Sequence, residues 1–221
     1  TLKGFKINRL NLAIAQDVPA NAAALMIANP QVDLLPGEVD KLIQYVNGGG
    51  NLFWLIDQEP LHGLQPLAQL LGLTLTPGVV VDPAAQRLNA PPTWALASSY
   101  GRHSVTRNFN MNTVFPFARQ VSAGDDQGWR VANLVEVAQQ GWVETGKLDR
   151  SMKFDKNRDT PGPVPIAIAL TRPVNDREQR IVVVGNGYFL ANTFVGNGGN
   201  MDLGVNIMNW LAGDDNLIAV Q

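Results

Sequence analysis

The sequence predicts an α/β domain, with a mostly parallel sheet flanked by helices and a β-rich insertion in its middle. Three observations lead there. First, residues 51–56 (NLFWLI), 164–170 (VPIAIAL) and 181–184 (IVVV) are uninterrupted apolar runs, the pattern of strands covered on both faces. Second, Val39, Leu42, Ile43 and Val46, and later Leu203, Ile207, Trp210 and Leu211, recur at helical spacing and mark one apolar stripe each. Third, strand and helix patterns alternate in the outer thirds of the chain, whereas residues 82–165 show little helical periodicity and frequent Pro, Gly, Asn and Asp. With 221 residues the chain fits a single domain, residues 1–221, with a sizeable core.

Taken in order, residues 6–15 (KINRLNLAIA) are apolar enough for a strand, and residues 22–28 (AAALMIA) form a second short run ended by Asn29-Pro30. Pro36 suits the first turn of the next helix, and Gly48-Gly49-Gly50 stops it. Asp57 then falls just beyond the 51–56 strand, and a shorter helix is expected over residues 65–71. Residues 74–81 read as one strand. Residues 112–119 and 130–137 partly alternate, so antiparallel, half-exposed strands are expected there. A charged, hairpin-like connection (171–180) leads into the 181–184 strand, and Gly185-Asn186-Gly187 turns the chain at its end. After a second glycine turn, Asn200 is placed to cap the last helix, where Asp202, Asn206 and Asn209 make a narrow polar stripe.

Composition excludes several functions. Seventeen basic against 19 acidic residues give a net charge of -2 with no dense basic run, so nucleic acid is not an expected partner. The absence of cysteine removes thiolate nucleophiles, Cys-ligated metals and disulfides. The two histidines, His62 and His103, lack metal-ligand spacing, and no metal or cofactor is expected. Gly185-Asn186-Gly187 has Leu190 where a dinucleotide fingerprint needs glycine, so a tight turn is the expected reading. Asp125-Asp126 and Asp214-Asp215 read as solvated turn acids.

In open α/β sheets, ligands and partners meet the loops at the strands' carboxyl ends. Asp57, His103, Asn186 and Asn192 are the residues expected to meet a partner protein or a polar solute, since amides pair well with neutral polar groups. Trp94, Trp129 and Trp142 could stack on a sugar or partner, although aromatics in a half-exposed sheet are more often packing. The alternative is a hydrolase of glycans or esters using Asp57 with His103 or Glu144, which requires two titratable groups in one cleft.

Ordered signatures along nearly the whole chain resemble the GldG-like auxiliary proteins of ABC-type transport systems, a family that includes gliding-motility components. They are Val18-Pro19-Ala20, residues 25–30 (LMIANP), Leu35-Pro36-Gly37-Glu38, Tyr45-Val46 and residues 48–52 (GGGNL). His103-Ser104-Val105-Thr106, Trp142-Val143-Glu144, Gly162-Pro163 and residues 180–185 follow. The last set is Phe189, Asn192, Gly199-Asn200, Leu203, Asn206 and residues 209–213 (NWLAG). The resemblance implies a flavodoxin-like, class I glutamine amidotransferase-like fold without catalysis; that fold's nucleophilic cysteine is missing here. It also implies an extracytoplasmic, periplasmic domain excised from an inner-membrane-anchored protein, with ABC permease and ATPase subunits or associated membrane proteins as partners.

Overall fold

A computed structural model of the chain describes residues 4–58, 60–124, 128–149 and 152–213. The acidic pairs Asp125-Asp126 and Asp214-Asp215 lie outside the described residues. Residues 6–15 form no strand. Instead the Asn11 carbonyl accepts the N–H groups of Ile14 and Ala15, and the segment turns over the first helix, where Lys41 Nζ donates to the Leu12 and Ala15 carbonyls.

The first regular unit is a parallel crossover, β1 (Leu25–Ala28), α1 (Pro36–Asn47) and β2 (Leu52–Leu55). Pro36 opens α1 as expected, and the Leu35 N–H donates to Glu38 Oε2 at 2.8 Å across the first turn. The short α2 (Gln65–Leu70) follows. The single strand expected over 74–81 is broken in two, β3 (Leu73–Thr74) and β4 (Val79–Val81), with Gly78 at φ +112° between them.

The middle region supplies β5 (Trp94–Ala97), β6 (Thr113–Pro116), β7 (Ser122–Ala123), β8 (Arg130–Val137), β9 (Trp142–Glu144) and β10 (Thr160–Pro161). The chain then runs through β11 (Val164–Val174), β12 (Arg177–Val184) and α3 (Asn200–Leu211). The central sheet has the order β1-β2-β12-β11-β8; three smaller sheets pair β10-β9-β4, β3-β7 and β5-β6.

The helix-flanked, mostly parallel, flavodoxin-like layout is overturned by this topology. Only β1, β2 and β12 run parallel; β11 pairs antiparallel with both β12 and β8, and every contact in the smaller sheets is antiparallel. Among the described residues, twelve strands outnumber three α-helices. The physical reason lies in what an apolar run reports. Burial on both faces makes residues 164–170 continuous, whichever way their neighbours run. Here β11 returns into β12 through a hairpin, and strands do part of the covering that helices do in a flavodoxin-like fold.

Side chains alternate across the central sheet. Leu52, Trp54, Ile56, Ile181 and Val183 pack in one core beneath α1 and α2, with Leu42, Val46, Leu64 and Leu67. Phe53, Leu55, Val182 and Val184 pack in the other with Leu203, Ile207 and Trp210 of α3. The middle strands join that second core through Val80, Ala95, Phe115 and Val143. Asn206 and Asn209, expected on a polar stripe, are buried, and Asn206 Nδ2 donates to the Val105 carbonyl at 3.1 Å.

Candidate functional site

The parallel register sets Leu55 beside Val184, so the residues that follow leave the sheet side by side. The Ile56 N–H donates to the Val184 carbonyl at 2.8 Å, and the Gly187 N–H donates to Asp57 Oδ1 at 2.9 Å. Burial pushes the Asp57 carboxyl above its ordinary range, and the Gly187 hydrogen bond only partly offsets it. Residues 117–121 cross over this turn. Arg119 N–H donates to the Gly185 carbonyl at 2.7 Å, and Arg119 Nη1 approaches the Asp57 carbonyl at 3.4 Å. A Cβ at position 185 would lie 2.1 Å from the Arg119 carbonyl oxygen, so this turn requires glycine for close approach.

Asn186 is fully buried. Its Nδ2 donates to the Pro116 carbonyl at 2.5 Å, and its Oδ1 accepts the Phe189 N–H at 2.8 Å. It therefore ties the end of β12 to the end of β6 and offers no free amide to a solute. Asn192 is exposed in the turn that follows residues 188–190. Beneath it, Asn200 does not cap α3; its Nδ2 donates to the Val114, Phe189 and Phe194 carbonyls and its Oδ1 accepts the Val114 N–H.

An aromatic feature at this rim went unread in the sequence. Phe117 takes φ +56°, a left-handed conformation that is strained for a bulky side chain. Two bonds hold it: its N–H donates to the Thr93 carbonyl at 2.7 Å, and its carbonyl accepts Gln58 Nε2 at 2.9 Å. Phe117 is 40% exposed, and its ring lies 6.3 Å from that of Tyr188, a residue 44% exposed. Tyr188 contacts Phe194 at 6.5 Å, and Phe194 contacts Trp94 at 5.1 Å. Only Pro116 and Gly187 beside these rings hinted at a turn, and neither predicts a ring held in solvent. Trp129 and Trp142 are buried instead; the Arg172 guanidinium stacks over Trp129 at 4.1 Å.

The remaining candidates sit elsewhere. His103 caps the short turn 104–106 by accepting the Val105 N–H on Nδ1 at 3.2 Å, and its ring packs edge-on against Trp210 at 4.7 Å. Trp210 closes α3 near Asn51 and Arg180, at the amino ends of the parallel strands. His103 and Asp57 are thus at opposite ends of the sheet. Glu144 is buried in the β10-β9-β4 sheet, where its carboxylate accepts Trp142 Nε1 at 3.1 Å, the Gly146 N–H at 2.8 Å and Arg158 Nη2 at 2.8 Å. Arg158 Nε also reaches Asp159 at 3.1 Å. Burial alone would raise the Asp159 carboxyl. The Arg158 hydrogen bond and the Asp155 and Thr145 N–H groups outweigh it and hold that carboxyl below its usual range.

The cavity beside Asp57, lined by Asn29, Pro30, Trp54, Gln58 and Leu64, encloses about 10 Å³, space for one water. Among the described residues no cluster of His, Cys, Asp or Glu is placed to hold a metal ion, and no helix is long and apolar enough to cross a membrane.

Fold and site thus define a mixed-sheet α/β domain whose carboxyl-end loops form an open rim of amides and aromatic rings. The chain belongs to the family described as ABC-type uncharacterized transport system, auxiliary proteins whose family model matches residues 1–216. It is accordingly an auxiliary component of an ABC-type transport system. In structure it is similar to the mmIFT52 N-terminal domain, with a TM-score of 0.63 and 14% identity over 85% of this chain and 76% of that one; the likeness is one of fold alone. The cytoplasmic protein STM3548 from Salmonella typhimurium aligns over 81% of this chain and 62% of its own, at 16% identity and a TM-score of 0.46. No curated protein matches the sequence.

Proposed function

We propose that the domain is a non-catalytic docking element of a gliding-motility-type transport system, extracytoplasmic and held at the inner membrane by the full-length protein. The carboxyl-end rim around Asn192 meets a permease-associated subunit or a polar solute. One observation carries the non-catalytic reading: Asp57, His103 and Glu144 occupy three separate places, each bonded into the fold. The hydrolase alternative needs two of them in one cleft. The cavity beside Asp57, about 10 Å³, is too small to hold a substrate at that carboxylate.

Affinity purification of the full-length protein with its native permease and ATPase subunits tests this reading. Asn192→Arg places a charged, bulky side chain on the rim and is expected to reduce recovery of those subunits without changing thermal stability. Equal recovery with wild type and variant would discard this surface. Digestion of the domain by protease added to intact spheroplasts tests the compartment; full protection there would refute an extracytoplasmic location.

A further inference from the structure

We infer that the contacting rings of Phe117 and Tyr188 form a binding patch for a neutral saccharide chain, with Gln58 beside it and Asn192 in the turn after Tyr188. This inference rests on the reading of the carboxyl-end rim as a recognition surface. Three observations carry it. Phe117 adopts a left-handed backbone conformation, held by the Thr93 carbonyl and by Gln58, and that geometry leaves the residue 40% exposed. A residue kept in a strained conformation by bonds on both sides points to a role beyond packing. The Tyr188 ring, from the turn after β12, meets it edge-on at 6.3 Å and 60°, so the two exposed residues form one aromatic patch.

The third observation is the chemistry around the rings. The Tyr188 hydroxyl and Gln58 Oε1 have no hydrogen-bond partner among the described residues, and Asn192 is exposed four residues beyond Tyr188. Asp57 is partly buried, and its Oδ1 accepts the Gly187 N–H. Uncharged donors and acceptors around aromatic faces match a ligand with C–H groups on its ring faces and hydroxyls at its edges. That ligand is a neutral sugar. A purely apolar ligand would leave the hydroxyl and amides unpaired.

Amide chemical shifts of the isotope-labelled chain, titrated separately with maltotetraose, cellotetraose and chitotetraose, test the inference. At least one sugar should give saturable shifts at Phe117, Tyr188 and Asn192, with a Kd on the order of 1 mM. Phe117→Gly removes one ring while suiting the positive φ, so the variant should fold and bind about tenfold more weakly. Tyr188→Ala should weaken binding similarly. The inference falls if none of the three sugars gives saturable shifts up to about 20 mM, if the shifts map elsewhere, or if Phe117→Gly binds like wild type. Saturable shifts with a proline-rich decapeptide and none with the sugars would also overturn it. Subunit recovery in the purification separates the two readings, since sugar binding without it rejects docking alone, and recovery without sugar binding rejects the sugar patch alone.

Discussion

Asp57 and Gly187 stand 130 residues apart in sequence, yet the Gly187 N–H donates to Asp57 Oδ1 at 2.9 Å and joins the ends of two neighbouring parallel strands. The bond is set in a partly buried place that disfavours the carboxylate's charge. Its strength and its cost therefore vary with pH together.

Because the folded-state pKa of Asp57 is raised, the folded chain holds this proton where the unfolded chain has released it. The contribution is fully present below the unfolded value of about 3.9 and is lost as pH rises through the folded value. Asp57→Asn keeps an acceptor for Gly187 and removes the titration. Urea unfolding should show Asn at least as stable as Asp at neutral pH, with that advantage shrinking towards about pH 4. An advantage independent of pH would contradict it.

Asp159 is expected to behave in the opposite sense. Its folded-state pKa is depressed, so its contribution is present above the unfolded value and disappears as pH falls through the folded one. Asp159→Asn should flatten the acid limb of the stability profile and leave the Asp57 window untouched. Double-variant denaturation with Asp57→Asn should give additive effects, since no bond links the two groups' partners.

Asn186→Ala would leave the Pro116 carbonyl and the Phe189 N–H unsatisfied in the interior. A loss of about 2 to 4 kcal/mol in chemical denaturation is expected. Asn192→Ala, on the exposed turn, should change stability by less than about 0.5 kcal/mol. Equal effects at the two positions would refute the distinction between lock and rim.

Gly185→Ala forces a methyl group against the Arg119 carbonyl oxygen, which belongs to backbone and cannot swing aside. Destabilisation on the order of 3 kcal/mol is expected. Thermal unfolding of the purified variant checks it, and an unchanged midpoint would show that the 117–121 crossover gives way freely.

Local chemistry marked the elements that depend on it. Pro36 and the Val39, Leu42 and Val46 stripe identified α1, and Gly185-Asn186-Gly187 was recognisable as a turn. The 130–137 run became β8 with the antiparallel pairing and partial exposure expected of it. The candidate rim was legible only in outline. Asp57 and Asn192 do lie at the carboxyl ends, but Asn186 is buried structure and His103 sits at the other end of the sheet. Nothing in a linear reading separates an exposed amide from one bonded on both sides.

By itself, the sequence determined the periods: which stretches bury two faces, which bury one stripe, and which glycines stop them. It also settled membership in an ABC transport auxiliary family, whose model matches residues 1–216. Only tertiary structure decided strand direction, the company each polar group keeps and the strained placement of Phe117. Burial is a property of one segment and leaves its imprint in composition. Direction and partnership belong to pairs of segments distant in sequence, and hydrogen bonds between backbones write neither into the side chains.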